Sequence, residues 1–412
     1  MHKAIELSPR FAAFALLSLS SAACSTGDAA STWAGTVVDS AGVEIVHNPT
    51  DGIWQSGDGW TLEEVLSIGE TIGDTAYQFG QIVSVDTDAA GNVYIADFQA
   101  QEVRVFDTEG VYTHTIGAPG AGPGEIGAGL SGVFALPDEV VVPDVGNFRI
   151  NRFGYDGELL GSDLIDIAKG IPIRWDRIGD EVVAQLRVMV TEEGADPTGD
   201  VIAKMGGEQE SREEISHLPI GQSLQFVNGQ PRIRVFDAEP IWDASSDGRV
   251  IMAVNESVRI EVRDAEGMLV RVITRPHDVK EVTERDQRVF LSFMRDVFEQ
   301  QGAPSAAIDA AMARFQFADT YPAFITLSHG PDRSVWVQRV RSGNDLSEEG
   351  DFDPQDLGSN TWDIFDGEGR YLGDVTFPGK YQPMKVMDDR IYGIARDEFD
   401  VQSMKVYRVV ME

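Results

Sequence analysis

The sequence repeats one short pattern, in which two apolar strands flank a loop that opens with a polar residue. The stretch NVYIADFQAQEVRVFDTEG starts at Asn92, and EVVVPDVGNFRINRFGYDG follows 47 positions later, starting at Glu139. Asp97 of the first copy corresponds to Asp144 of the second. A repeat of this size is one supersecondary unit, which buries its apolar surface only against neighbouring copies. The sequence therefore predicts an all-β protein built from several similar sheets.

Two further copies are recognisable in the second half of the chain. RVIMAVNESVRIEVRDAEG, which starts at Arg249, carries Asn255 in the position of the aspartate. SVWVQRV, which starts at Ser334, carries Arg339 close to the same position, and TWDIFDGEG follows after a long insertion. We therefore group Asp97, Asp144, Asn255 and Arg339 as equivalent ends of one type of strand.

The repeats divide the chain into six predicted sheets. These cover residues 80–117, 130–166, 172–218, 240–275 and 322–377, and the sixth begins near Met384. Only three strands remain after Met384, so the last sheet lacks its fourth strand. The segment 60–69 ends in VLSIG, which is similar to THTIG at 113–117. We expect this segment to complete the sixth sheet, because an N-terminal strand there removes two open edges.

Three motifs make the sequence similar to a known repeat type. YIAD at 94–97, VRVFD at 103–107 and GAGPGEI at 120–126 resemble the NHL-type repeats of six-bladed β-propellers, especially a bacterial secreted and lipoprotein group of unknown function. The resemblance implies six four-stranded blades around a channel. It makes the glycine-rich stretch IGAPGAGPGEI the connector from blade 1 to blade 2. A phosphate-binding loop would need Lys and Ser or Thr after the last glycine, where Glu125 and Ile126 stand.

The N-terminus resembles a bacterial lipoprotein signal. Lys3 and Arg10 precede the apolar run FAAFALLSLSSAA, and the only cysteine of the chain, Cys24, follows it. We predict a signal peptide over 1–23, a lipid on Cys24, and a tether and N-terminal extension over 24–59. The alternative is ordinary cleavage after an alanine, with an incidental cysteine. Either form is exported, and lipidation would hold the protein at the membrane in the periplasm or at the outer membrane.

Charge restricts the partners of this protein. The chain has 33 Lys and Arg against 68 Asp and Glu, a formal net charge of −35. Binding of nucleic acid depends on clustered Lys and Arg that neutralise phosphates, so a nucleic-acid partner is excluded.

The long insertions of the predicted propeller share one face. In each blade, strand a lines the channel and strand d lies at the rim. The b-to-c loops and the d-to-a connectors lie at one face of the propeller, which we call the loop-rich face. The short a-to-b and c-to-d turns lie at the opposite face, which we call the plain face. The largest insertion, 278–318 between blades 4 and 5, predicts a helical hairpin: Thr283 and Asp286 can cap a first helix, and 305–317 predicts a second. We expect a protein, peptide or saccharide partner at the loop-rich face.

The polar ends of strand b are the candidate ligand-face residues. Asp97, Asp144, Asn255 and Arg339 lie near the loop-rich mouth of the channel, where oxygen ligands could bind calcium, as in related propeller lactonases. Alternatively, each Asp or Asn accepts hydrogen bonds from its own loop. A zinc site like that of the amidating lyases of this repeat class needs three converging histidines. Four candidate histidines are expected on rim strands, in a linker and in a turn at the plain face; they are His114, His217, His277 and His329.

The sequence favours a binding or interaction module at the cell envelope, and no catalytic residue is assigned. The alternative is a propeller enzyme of the lactonase or lyase type, with a divalent metal at the channel mouth. No cofactor is predicted, and calcium is the one ion left open.

Overall fold

The protein is a six-bladed β-propeller, as predicted. The computed structural model describes residues 33–54, 59–187, 200–206, 213–218, 224–227, 230–343 and 357–410. The predicted signal peptide, Cys24 and most of the acidic insertion in blade 5 lie outside these residues. Among the described residues no helix is both long and apolar enough to cross a membrane.

Each blade is an antiparallel sheet of four strands, which run in order from strand a at the channel to strand d at the rim. Blade 1 contains Ile82–Thr87, Val93–Asp97, Glu102–Phe106 and Tyr112–Ile116; blade 2 contains Phe134–Ala135, Val140–Asp144, Arg149–Phe153 and Leu159–Leu164. Blade 3 contains Ile171–Ile178, Glu181–Arg187, Val201–Lys204 and Glu214–His217; blade 4 contains Pro240–Ala244, Val250–Val254, Val258–Arg263 and Leu269–Arg275. Blade 5 contains Phe324–His329, Val335–Val340, Gly358–Phe365 and Tyr371–Thr376; blade 6 contains Tyr381–Met387, Arg390–Arg396, Gln402–Val410 and Thr61–Ile68.

The core of the propeller lies between the blades. A hydrophobic cluster fills the space between each pair of successive blades, including blades 6 and 1. The b strands of the first four blades are mostly buried on both faces, and VYIAD at Val93–Asp97 is buried at every position. Such strands read as continuous apolar runs rather than alternating ones. The stacked blades therefore hold one ring-shaped core around a polar channel.

Blade 6 takes its rim strand from the N-terminal part of the chain. Thr61–Ile68 pairs antiparallel with Gln402–Val410, from Val410 opposite Thr61 to Met404 opposite Ile68. The Lys405 ammonium lies 2.8 Å from the Glu64 carboxylate across this pair.

A second N-terminal element lies within the predicted N-terminal extension. Thr36–Ser40 and Val43–His47 form a hairpin, and Val43–His47 adds parallel to the rim strand of blade 4, so that this sheet has six strands. The turn residues Ala41 and Gly42 both have positive φ, 56° and 86°. A two-residue turn of this kind matches the natural twist of a hairpin.

The helical insertion contains two helices and one strand. Glu284–Gln300 starts with a capping box in which the Thr283 and Asp286 side chains each bond the other's backbone N–H. The second helix, Ser305–Met312, is shorter than predicted, because Phe315–Phe317 is a strand. This strand pairs parallel with Gln230–Val235, which in turn pairs with Leu224–Val227 in a separate small sheet. The alternating FQF sequence suits a strand, since both aromatic rings pack on one side.

Four short 3-10 helices complete the described elements. They are Thr75–Tyr77, Val145–Asn147, Ile167–Lys169 and Pro331–Arg333.

Candidate functional site

Asp97 is bound by the loops beside it. Its carboxylate is fully buried and accepts hydrogen bonds from the backbone N–H groups of Gly80, Gln81 and Gln99 at 2.9, 3.0 and 3.1 Å. A fourth N–H, from Ala100, lies at 3.3 Å. Asp97 therefore joins the connector before strand a to the loop after strand b, within one blade.

Asp144 and Asn255 have the same role in their own blades. Asp144 accepts from the Gly127 N–H at 2.9 Å, and Asn255 accepts from the Glu239 N–H at 2.7 Å through its side-chain oxygen. The Asn255 amide also donates to the Phe324 carbonyl at 2.8 Å, which links blade 4 to blade 5. These bonds match the second of the two interpretations of this position, in which the polar group stabilises its own loop.

Arg339 belongs to an ion-pair network instead. Its guanidinium bonds the Asp363 carboxylate at 2.6 Å and Asp374 at 3.0 Å. Burial lowers the pKa of Arg339, but the hydrogen bond and charge of Asp363 outweigh it, so the net shift is upward. Arg275 contacts the other oxygen of Asp363 at 3.1 Å. Within the described ranges, no three His, Cys, Asp or Glu side chains are grouped so as to hold a metal ion.

A cavity lies in the channel and opens at the plain face, whereas the ligand was expected at the loop-rich face. Its volume is about 850 Å³, within the range of roughly 300–1,000 Å³ typical of small-molecule sites. It is lined by the ends of the a strands and by the a-to-b turns of the blades. Its charged side chains are Asp88, Asp176, Asp180, Asp243, Asp247, Asp332, Asp388, Arg174, Arg177, Arg249, Arg333 and Lys385.

Aspartates on the a strands join successive blades beside this cavity. One equivalent position near the end of strand a carries Asp86, Phe134, Asp176, Asp243, Ser328 and Lys385 in blades 1 to 6. The three aspartates accept a backbone N–H from a neighbouring strand a: Asp86 from Ala135 at 3.1 Å, Asp176 from Ala244 at 3.4 Å, and Asp243 from His329 at 2.7 Å. Strand a is the inner edge of each sheet, so its channel-side N–H groups have no neighbouring strand to bond. The aspartate carboxylates accept hydrogen bonds from these groups instead.

Two of these aspartates are also ion-paired. The Asp86 carboxylate lies 3.3 Å from the Lys385 ammonium and 3.6 Å from the Arg177 guanidinium. Asp243 contacts the Arg174 guanidinium at 3.3 Å. Arg174, Arg177 and Lys385 therefore share two carboxylates, so this group of five side chains carries one more positive than negative charge.

Asp176 has no such partner. No Lys or Arg of the described chain lies within 4.0 Å of its carboxylate, which accepts the Arg177 backbone N–H at 2.8 Å. Burial raises the pKa of Asp176, and the nearby negative charge of Asp243 adds to this rise. The positive charges of Lys385 and Arg174 reduce the shift without cancelling it. Asp176 is thus the carboxyl group of the channel that most favours its protonated form.

Two polar atoms of the cavity lining lack a hydrogen-bond partner within the described chain. One is Nε2 of His329, whose Nδ1 lies 3.0 Å from the Asp243 carboxylate. Because a carboxylate accepts, Nδ1 carries the proton in the neutral ring and Nε2 is an acceptor. The other is the indole N–H of Trp175, a donor. A buried polar group without a partner costs free energy, which a bound ligand can recover.

This site was not predicted from the sequence. His329 was expected in a turn, yet it is the last residue of the channel strand Phe324–His329 and is 7% exposed. A signal was present, because Asp86, Asp176 and Asp243 each follow an apolar residue shortly before a turn. Their contacts to another blade join residues up to 299 positions apart, which no local pattern reveals.

Comparisons with known proteins show the fold only. No protein-family model and no curated protein sequence matches the chain. A DUF4221 family member from Bacteroides vulgatus superimposes with a TM-score of 0.52 and 10% identity, over 86% of this chain and 99% of that one. A Bacteroides fragilis protein named as exported gives a TM-score of 0.52 and 11% identity, over 89% of this chain and 99% of that one.

Proposed function

We propose that this protein is an exported, lipid-anchored binding module of the cell envelope, built from NHL-type repeats and held as a ring by the segment 60–69. The basic start, apolar run and Cys24 support export and lipidation. The similarity in fold to a protein named as exported agrees with this location. The ring is supported by the register between Thr61–Ile68 and Gln402–Val410.

The observation that carries the binding function is the channel cavity. It combines a volume of about 850 Å³ with twelve charged side chains in its lining, one of which is a carboxyl group of raised pKa. Polar groups that converge on a preformed cavity are the usual mark of a small-ligand site. The ligand is therefore a small polar molecule that enters from the plain face, and the loop-rich face is free to contact a larger partner.

A blocking substitution tests this function. Ser328 lines the cavity and is half-buried, so Ser328→Trp should fill part of it. Thermal unfolding is measured with a panel of saccharides, amines, organic acids and short peptides. We expect at least one compound to raise the melting temperature of the wild type but not of Ser328→Trp. Gln99→Trp, on an exposed loop at the other mouth, is the control and should respond like the wild type. No response to any class would refute the proposal.

Anchoring is tested separately. The full-length chain and its Cys24→Ser variant are expressed in a bacterial host, and membrane and soluble fractions are compared. The wild type should be found in membranes, with a first mature residue whose mass includes a diacylglycerol. Recovery of the unmodified wild type in the soluble fraction would refute lipidation and leave the channel proposal untouched.

A further inference from the structure

We infer that a second cavity, between blades 4 and 5 at the loop-rich face, binds the oxyanion group of a small ligand, either a carboxylate or a phosphate. The cavity has a volume of about 550 Å³, within the range typical of small-molecule sites. Its lining includes Arg275 at the end of strand d of blade 4 and Val340 at the end of strand b of blade 5. It is therefore separate from the channel cavity, which opens at the plain face.

The lining of this cavity is basic, although the protein is acidic. Its charged side chains among the described residues are Arg275, Lys280, Arg339 and Arg341 against Asp278 and Asp363. The whole chain shows the opposite balance, with 68 Asp and Glu against 33 Lys and Arg. A local excess of basic groups attracts anions to this one place, whereas the formal net charge of −35 repels them from the protein as a whole.

Arg339 presents a hydrogen-bond donor to the cavity. Its Nε and Nη2 bond the Asp363 carboxylate at 2.9 and 2.6 Å, and Nη2 also bonds Asp374 at 3.0 Å. Its Nη1 makes no hydrogen bond within the described chain and retains accessible surface, on a side chain that is 39% exposed. The two carboxylates therefore fix the guanidinium and leave one of its nitrogens available to a ligand oxygen. An arginine held in this way loses little conformational entropy when it binds a ligand.

The Ser359 hydroxyl offers a second donor. Ser359 is half-buried and lines the same cavity. Its oxygen accepts the Thr361 N–H at 3.1 Å, and within the described chain its own proton has no acceptor. A carboxylate or phosphate accepts hydrogen bonds from a hydroxyl and from a guanidinium alike, so one oxyanion satisfies both donors.

The acidic groups of the lining offer little to a cation. One oxygen of Asp363 accepts from Arg339 and from the Tyr371 hydroxyl, and the other accepts from Arg275 at 3.1 Å. Asp278 is exposed, where a single ion pair contributes little. A cationic ligand would have to displace an arginine from Asp363, whereas an anion can bind Nη1 of Arg339 without displacing any group.

Two arginines of blade 5 give a matched pair of variants. Arg339 and Arg370 are 39% and 40% exposed, and each is ion-paired with two carboxylates. Only Arg339 lines the cavity, because Arg370 lies in the c-to-d turn at the plain face. Arg339→Lys keeps the positive charge but leaves a single nitrogen, which the carboxylates occupy. Arg370→Lys makes the same chemical change away from the cavity.

Isothermal titration calorimetry of the purified mature chain tests the inference. Succinate and inorganic phosphate separate the two sources of an oxyanion, and glucose and putrescine serve as neutral and cationic probes. We expect succinate or phosphate to bind the wild type and Ser328→Trp equally, because the substitution fills only the channel cavity. Arg339→Lys should weaken this binding about tenfold or more, as expected for a lost hydrogen bond to a charged group. Ser359→Ala should weaken it several-fold, and Arg370→Lys should bind like the wild type.

The contrary outcomes separate this site from the proposed channel function. Anion binding that Ser328→Trp abolishes would place the anion in the channel cavity, which overturns this inference and leaves the channel function standing. Equal losses in Arg339→Lys and Arg370→Lys would overturn it as well, because they would show a general attraction to basic side chains. So would binding of glucose or putrescine alone to Ser328→Trp, or no binding by either anion. If Arg339→Lys melts well below the wild type, Ser359→Ala decides, and an unchanged affinity in that variant overturns the inference.

Discussion

Asp97 provides the sharpest test of whether the polar ends of the b strands stabilise loops or hold a ligand. The substitution Asp97→Ala removes a fully buried carboxylate that accepts four backbone N–H groups between 2.9 and 3.3 Å. It also removes a contact of 3.6 Å to Arg104, which keeps its bond to Glu102.

The expected loss is large because several donors lose one acceptor. A hydrogen bond to a charged group contributes about 1.5–3 kcal/mol, and bonds that share an acceptor are not additive. The two connecting loops lie partly at the surface, so water can reach some of the freed N–H groups. We therefore expect Asp97→Ala to lower the free energy of unfolding by about 3–5 kcal/mol.

Urea denaturation followed by tryptophan fluorescence measures this loss, once with EDTA and once with calcium. Asp107→Ala is the matched control: Asp107 caps a turn in the same blade through two N–H bonds of 2.9 Å that are exposed. It should cost about 1 kcal/mol. A loss below about 1 kcal/mol for Asp97→Ala, or a loss that occurs only with calcium present, would refute the structural role and favour a metal ligand.

Three further predictions concern other parts of the propeller. A chain that lacks Thr61–Ile68 should aggregate, because Gln402–Val410 becomes an open edge and the apolar clusters beside blade 6 lose Leu62, Leu66 and Ile68. Light scattering should rise, and an unchanged signal would contradict the closing role of this strand. The free energy of unfolding of Asp176→Asn should increase relative to that of the wild type as the pH rises from about 4 to 8. The reason is that folded wild type holds a proton on Asp176 above pH 3.8, where the unfolded chain releases it, so the wild type loses stability as the pH rises. A difference between the two proteins that does not change with pH would contradict the raised pKa. Thr283→Ala should destabilise the first insertion helix by about 1 kcal/mol, seen as faster limited proteolysis of that helix, and an unchanged rate would show that the cap is dispensable.

The blades could be predicted because their signal is local. Apolar strands of five to eight residues, glycine turns and the recurring Asp at the end of strand b are all visible within one repeat. The expected sheet limits differ from the observed ones by about four residues at most. The segment Phe315–Phe317 was assigned to a helix because its apolar spacing suits both structures, and its partner strand lies some 80 positions away.

The cavity could not be predicted for a related reason. The sequence shows Asp176, Asp243 and His329 on three blades, but their proximity depends on how the blades are arranged around the channel. The hairpin Thr36–His47 carries a readable turn signal, TVVDSAGVEIVH, yet its docking site on blade 4 depends on a pairing more than 200 residues distant. Local patterns therefore identified the strands of the propeller but not which of their side chains meet.

The N-terminal hairpin also determines how this propeller would respond to mechanical load. The chain is attached at three successive places: to the rim of blade 4 through Val43–His47, to blade 5 where the Trp54 N–H donates to the Leu372 carbonyl at 2.7 Å, and to blade 6 through Thr61–Ile68. A pull transmitted through Trp33 reaches the hairpin first. Unpairing of the hairpin strands would extend the N-terminal segment and dissipate force before the load reached blade 6. The hairpin would therefore open before blade 6, and the ring would stay closed while the N-terminal segment carries the load.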